Sequence, residues 1–374
     1  MAYTTKDVFV ALSNVKYPGT GKDISALGMV QEIKIEDKKI SFSLIFKKSN
    51  DPNIESLRKD CVNAILTNLG QDVEIKGNIT VKSIEKVADK SILPNIKNII
   101  AIASGKGGVG KSTVTTNLAV ALAKAGNKVG LVDADIFGPS IPKMFGVENE
   151  RPEIKKENGA DIIIPIEKFG LKLLSIGFFV NPEEALVWRG PMATNALKQL
   201  VFQTEWGKLD YLLFDLPPGT SDIHLTLVQE VPVTGAVIVS TPQQVALADA
   251  VKGINMFKGK QINVPVLGLV ENMAWFTPAE LPNNKYYIFG KDGCKNLSAK
   301  MKIPLLGQIP IVQSICENGD NGNPSALDEN SVTGKSFADL AQNVVNAVNK
   351  RNTNLDPTKK VEISNNDGCD AVND

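Results

Sequence analysis

The spacing of apolar residues divides the chain into two regimes. Over residues 1–92, helical and strand-like spacings mix. Val8, Leu12 and Val15, with Phe9 and Ala11, recur at helical intervals until Pro18, Gly19 and Gly21 break the pattern. Residues 30–35 and 40–46 read as strands joined by a polar turn at 36–39. Ile54, Leu57, Cys61, Ile65 and Leu66 share one face of a second predicted helix, and residues 72–75 and 79–81 predict further strand. Residues 93–98 read as a linker opened by Leu93-Pro94-Asn95, because proline disfavours helix at the residue before it.

From residue 99 to 350, short unbroken apolar runs alternate with helical segments. The runs are 99–103, 129–132, 211–214, 236–239, 266–270 and 305–309. Strands without polar alternation are those covered on both faces. The expected fold class is therefore α/β, a mostly parallel sheet flanked by helices and preceded by a small α/β domain. A last amphipathic helix carries Phe337, Leu340, Ala341, Val344, Val345 and Val348 on one stripe. Residues 351–374 are polar, rich in Asn, Asp and Lys, and are expected to be a disordered tail.

Composition narrows function by exclusion. The chain has 374 residues, 43% hydrophobic and 22% charged, enough for two or three packed units. Lys plus Arg (41) balances Asp plus Glu (41), so global charge favours neither nucleic acid nor an anionic membrane as a partner. No apolar run approaches the roughly 18 residues of a membrane span. The first residues lack the basic, apolar and small-residue order of an export signal, so a cytoplasmic location is expected. Cys61, Cys294, Cys316 and Cys369 are too scattered for a disulfide framework, which fits a reducing cytosol. A single histidine, His224, rules against multi-histidine metal sites.

The chemistry concentrates at Gly105-Lys106-Gly107-Gly108-Val109-Gly110-Lys111-Ser112, a full match to G-x-x-x-x-G-K-[ST]. A buried strand is expected before it, and a helix over 113–125 after it, starting at Thr113. Glycines let backbone N–H groups close around phosphate oxygens, and the helix N-terminus adds partial positive charge. Lys111 is placed for the β- and γ-phosphates of ATP, and the Ser112 hydroxyl for Mg²⁺. Two acidic turns, with Asp133 and Asp135 after one apolar run and Asp215 after another, belong at the carboxyl ends of strands, where α/β sheets bind ligands. Asp133 and Asp215 suit the waters around the metal. One such aspartate alone reads as a turn cap; three beside a P-loop read as a site.

Lys106, the second lysine in GKGGxGKS, resembles the deviant Walker A group that includes MinD, ParA and nitrogenase iron protein. Further motifs occur in order: Asp133-Ala-Asp-Ile-Phe-Gly-Pro-Ser140, Trp188-Arg-Gly-Pro191, Asp210-Tyr-Leu-Leu-Phe-Asp-Leu-Pro-Pro-Gly-Thr220, Thr241-Pro-Gln243 and Val270-Glu-Asn-Met273. Together they resemble the Mrp/ApbC branch of that group, which consists of ATP-hydrolysing iron–sulfur cluster carriers. Residues 6–83 are similar to the MIP18-like domain often found ahead of it. The resemblance implies a homodimer that sandwiches ATP and delivers clusters to apoprotein clients. It implies that Lys106 reaches a nucleotide across the dimer, that Asp135 orients the attacking water, and that Asn272 lies near the adenine.

One departure matters. The family's C-P-x-C pair, whose thiolates bridge a [4Fe–4S] cluster between subunits, belongs just after the Glu-Asn-Met. Here residues 273–282 contain no cysteine. Cys61 lies on an apolar helix stripe and reads as core, and Cys369 lies in the tail. Cys294 and Cys316 are the remaining candidate ligands, with no recognised ligand spacing. His224 reads as a structural or interface residue, since phosphoryl transfer depends on positioning more than on a histidine base.

Three functions stay open at this point. The first is an ATPase that assembles or delivers iron–sulfur clusters. The second is a MinD- or ParA-like ATP switch. Against it, the last helix presents Gln342, Asn343, Asn346 and Asn349, neutral amides that suit a solvated face better than a lipid anchor. The balanced charge also gives little support to a DNA patch. The third is a metal-free, nucleotide-dependent scaffold, kept open by the missing cysteine pair.

Overall fold

The structure, a computed structural model, describes residues 3–361 except 19, 37, 47–50, 52, 76, 84–92, 137, 158, 180–189, 260, 261, 279 and 282. The chain divides into two units, Met1–Ile92 and Leu93–Asp374.

In the first unit, α1 (Thr5–Leu12) opens with a capping box. Thr4 accepts from the Asp7 N–H, and the Asp7 carboxylate accepts from the Thr4 N–H. Strands β1 (Val30–Glu36) and β2 (Lys39–Phe46) form an antiparallel hairpin. Helix α2 (Ile54–Leu69) follows, and β3 (Ile79–Ser83) pairs parallel to β2. Ile40, Phe42, Leu44 and Phe46 alternate inwards and pack with Leu57, Cys61 and Ile65 of α2. Two expectations shift. The first helix stops at Leu12, and the strand expected at 72–75 is a single bridge between Lys39 and Glu74.

The second unit is built on β4 (Ile96–Ser104), α3 (Lys111–Lys124), β5 (Val129–Asp133) and the short α4 (Ile141–Met144). A hairpin of β6 (Glu153–Glu157) and β7 (Ala160–Ile164) follows, then β8 (Ile166–Lys168) and β9 (Leu171–Ser175). Next come α5 (Gly190–Phe202), β10 (Leu209–Asp215), α6 (Asp222–Glu230), β11 (Gly235–Ser240) and α7 (Gln244–Lys258). The unit ends with β12 (Val266–Glu271), α8 (Gly293–Met301), β13 (Leu305–Gln308), α9 (Gln313–Asp320) and α10 (Val332–Asn354).

Eight strands make one sheet in the order β13-β12-β11-β4-β10-β5-β9-β8, parallel except for β8. The strand period of two splits β4 between two cores. Ile99, Ala101 and Ala103 join the side chains of α5–α8 on one face, and Ile100 and Ile102 join those of α3 and α10 on the other. This three-layer arrangement is the α/β class expected from the apolar runs.

Several elements depart from the sequence reading. Strands β6 to β9 have no counterpart among the apolar runs; β6, Glu-Ile-Lys-Lys-Glu, is exposed throughout and shows no alternation. Helix α10 runs past Lys350 to Asn354, and the Val361 N–H donates to the Val228 carbonyl at 3.0 Å. The first part of the expected tail is therefore structured. Residues 362–374, with Cys369, and the expected Trp188-Arg189 motif lie outside the described residues. No helix among the described residues is long and apolar enough to cross a membrane.

Candidate nucleotide site

The sheet order makes the site. Chain from β4 passes through α3 to β5, while β11 lies on β4's other side, so the crevice at the carboxyl end of β4 is where connections diverge. Gly105–Gly110 fills this crevice and feeds directly into α3. Gly110 caps the helix with φ +78°, a left-handed conformation that suits glycine.

Two of the glycines answer to the protein itself as much as to a phosphate. A Cβ on Gly105 would overlap the backbone of Asp249 and Ala250 in α7. One on Gly110 would overlap the side-chain amide of Asn272. That amide donates to the Val109 carbonyl at 2.8 Å, tying the loop to the end of β12. Asn272, expected beside the adenine, thus also braces the P-loop.

Lys111, Asp215 and Ser112 meet at the start of α3. The Lys111 Nζ lies 2.8 Å from Asp215 Oδ2 and 3.9 Å from Asp135 Oδ2, and both Lys111 and Asp215 are buried. The Ser112 hydroxyl donates to Asp215 Oδ2 at 2.6 Å. Thr115, one turn further along α3, places its Oγ1 2.6 Å from the other carboxylate oxygen, Oδ1. On the neighbouring strand, Asp133 is fully buried. It accepts from the Ser175 hydroxyl at 3.0 Å and from the backbone N–H groups of Ile141 and Asp135, each at 3.2 Å. Burial, reinforced by the charge of Asp215, pushes its pKa up to about 8.

Above these groups is a cavity of about 250 Å³, lined by the P-loop, Asp135, Ser140, Met144 and Pro218. A cleft of about 420 Å³ adjoins it, sharing Gly110, Thr113, Ser140 and Met144 and extending past Asn272 to Ile311 and Cys316. The two hollows are continuous along the P-loop through these shared residues. Lys106 is half-buried in the loop, at the wall of the smaller cavity.

The cysteine candidates separate. Cys294 is fully buried at the start of α8, its N–H donating to Glu271 Oε2 at 2.6 Å, and burial raises its thiol well above the ordinary range. Cys316 is exposed on α9, where nearby Asp320 raises its pKa. Cys61 is buried in the first unit and pushed up to about 12 by burial. Among the described residues, no three His, Cys, Asp or Glu side chains converge as a metal site.

Sequence reasoning missed Thr115, Ser175 and Glu271. Thr115 could have been found from its position three residues after Ser112, which puts both hydroxyls on one helix face. Glu271 is buried and also accepts from Gln308 Nε2 at 2.6 Å, so it joins α8 to β13. His224 is buried against Phe257. Its Nδ1 lies 3.1 Å from the Ser221 hydroxyl, its Nε2 has no hydrogen-bond partner among the described residues, and burial lowers its pKa to about 4.

The chain is similar to known proteins in both of its units. The family described as ParA, NUBPL iron-transfer P-loop NTPase, matches residues 95–345, and that described as iron-sulfur cluster assembly protein matches residues 5–76. The chain is 40% identical to the iron-sulfur cluster carrier protein of Synechocystis over 92% of this chain and 98% of that protein. It is 46% identical to the iron-sulfur cluster transfer protein NUBPL of Dictyostelium discoideum, over 74% of this chain and 81% of the other. Among solved structures, the nucleotide-binding protein of Archaeoglobus fulgidus in complex with ADP matches with a TM-score of 0.54 at 40% identity, covering 63% of this chain and 92% of that one.

Proposed function

The chain belongs to the NUBPL iron-transfer P-loop NTPase family, and from that membership we propose that it is an ATP-hydrolysing iron–sulfur cluster carrier, acting as a homodimer that supplies apoprotein clients. The observation that carries the reading is the convergence of Lys111, Ser112, Asp215 and Asp135 at the carboxyl edge of a parallel sheet.

In this reading the P-loop amides and Lys111 hold the β- and γ-phosphates, and the base occupies the cleft beside Asn272. The Ser112 hydroxyl and the Asp215 and Asp133 carboxyls are hard oxygen donors, the set that suits Mg²⁺ and its waters. When bound, the metal neutralises charge on the phosphates. Asp135, at the wall of the phosphate cavity, orients water for attack on the γ-phosphorus, and the bond to the ADP oxygen breaks. Lys106 reaches the nucleotide of a second copy.

The cluster is the cargo. Neither buried Cys294 nor the cysteine-free stretch 273–282 offers the thiolate pair of a bridging [4Fe–4S] centre. A cluster on this chain is therefore expected to be labile, with exposed Cys316 as the accessible thiol of the candidate pair. The burial of Cys294 also favours a second reading, a metal-free scaffold driven by nucleotide.

One experiment separates the readings. The full chain is reconstituted anaerobically with iron and sulfide, and iron content, cluster transfer to an apoprotein and ATP turnover are measured, with Asp135→Asn as control. ATP turnover lost in Asp135→Asn, together with transferable iron, supports the carrier. Turnover without iron supports the scaffold. No turnover in the parent chain would refute both.

A further inference from the structure

We propose that Thr115 is a positioning residue for Asp215 and, through it, for the divalent cation of the nucleotide site. The proposal rests on the ATPase reading above.

Asp215 is held from two sides by one helix. Its Oδ2 faces the site, taking the Ser112 hydroxyl at 2.6 Å and the Lys111 amine at 2.8 Å. Its Oδ1 turns inwards, and Thr115 is its donor among the described residues, at 2.6 Å with no solvent exposure. The Thr115 oxygen also lies 2.9 Å from the Lys111 carbonyl. A hydroxyl has one proton, and the shorter contact to an ionised acceptor takes it. The rotamer that turns a helical threonine back to the carbonyl four residues earlier is one of its two preferred ones. The side chain is therefore set towards Asp215 before any ligand arrives.

The anchor matters because of what stands beside it. Asp133 is the register partner of Asp215 on the next strand, buried and acidic. Without Thr115, only the Oδ2 side of Asp215 is fixed, and the carboxylate is free to turn about its terminal torsion. A hydroxyl that orients a carboxylate near a metal acts on metal affinity, and losing such a partner typically costs about 10-fold to 100-fold. The phosphate contacts of the loop do not involve Thr115, so nucleotide binding without metal should not depend on it.

The test compares the parent full chain with Thr115→Val, which keeps the shape and loses the hydroxyl, and Thr115→Ser, which keeps the hydroxyl. ADP binding is titrated in EDTA and across a series of Mg²⁺ concentrations, and ATP turnover is followed over the same series. In Thr115→Val, ADP affinity in EDTA should match the parent, the Mg²⁺ requirement of ADP binding should rise about 10-fold or more, and kcat should recover at saturating Mg²⁺. Thr115→Ser should restore the parent Mg²⁺ dependence. A Mg²⁺ dependence unchanged in Thr115→Val overturns the proposal. So does a Thr115→Ser as impaired as the valine variant, or a loss of ADP binding in EDTA, either of which would assign Thr115 to packing. If the parent shows Mg²⁺-linked ADP binding but no turnover, the ATPase reading fails while the binding series still decides Thr115.

Discussion

Asp133 and Asp215 are register partners on adjacent parallel strands, and the fold treats them in opposite ways. Asp215 has a lysine amine and two hydroxyls around it, so its negative charge is compensated. Asp133 has one hydroxyl and two backbone N–H groups, and among the described residues no cation forms an ion pair with it. Burial and a like charge both disfavour the ionised form of Asp133. Burial, with the Asp215 charge beside it, raises the Asp133 pKa to about 8, and Asp135 is the carboxylate nearer the solvent.

Replacing Lys111 should act on both binding and stability. Lys111→Ala removes the charge that holds the phosphates and leaves Asp215 buried without its partner. Breaking a buried pair from one side costs about 3–5 kcal/mol. Calorimetry should show no ADP binding, and thermal unfolding should show a clear fall in the midpoint. Retained ADP affinity would refute the P-loop assignment.

Lys106 belongs to the loop but has no ion pair or hydrogen bond of its amine among the described residues. Lys106→Ala should therefore leave stability and ADP affinity near the parent values. If the amine acts across a dimer, ATP-dependent dimerisation and most of the turnover disappear. Light scattering with ATP and Mg²⁺ reads this directly; an intact nucleotide-dependent dimer returns Lys106 to a surface role.

His224 gives the molecule a predictable acid limb. Its folded pKa is about 4 against an ordinary value of 6.5. Between these values the unfolded chain binds a proton that the folded chain does not. Stability from this residue is therefore intact above about pH 6.5 and falls as pH drops towards 4, by about 3 kcal/mol in all. In His224→Gln, that part of the pH dependence of unfolding should flatten. An unchanged slope between pH 4 and 6.5 would show that His224 is not the group.

Thiol labelling should follow the burial pattern. In a Cys369→Ser background, Cys316 should react first with a maleimide in the native chain, and Cys61 and Cys294 only after unfolding. Because Asp320 disfavours the thiolate, the Cys316 reaction should speed up as pH rises. Cys316 lines the cleft beside the P-loop, so ADP should slow its labelling. Labelling of Cys316 at an ADP-independent rate would place the base elsewhere.

Much of this architecture is legible in the sequence, for a physical reason. Strands β4, β5, β10, β11 and β12 are covered on both faces and read as unbroken apolar runs, and the P-loop needs glycines at fixed offsets. Strands β6 to β9 are short, and β6 and β7 pair in a hairpin of their own outside the main sheet, so β6 carries no core pattern. The sequence puts Thr115 on the helix face of Ser112, but only the fold brings Asp215 of β10 beside it. Cys294 and Cys316 look equivalent in the sequence; only packing separates a core thiol from an exposed one.

The bare contact between Gly105 and α7 has a mechanical consequence. No side chain intervenes between the first residue of the loop and the backbone at Asp249 and Ala250. Close-packed interiors deform little and pass strain on, so this joint has almost no slack. A side chain added at Gly105 has to displace either α7 or the loop, so the place of one fixes the place of the other.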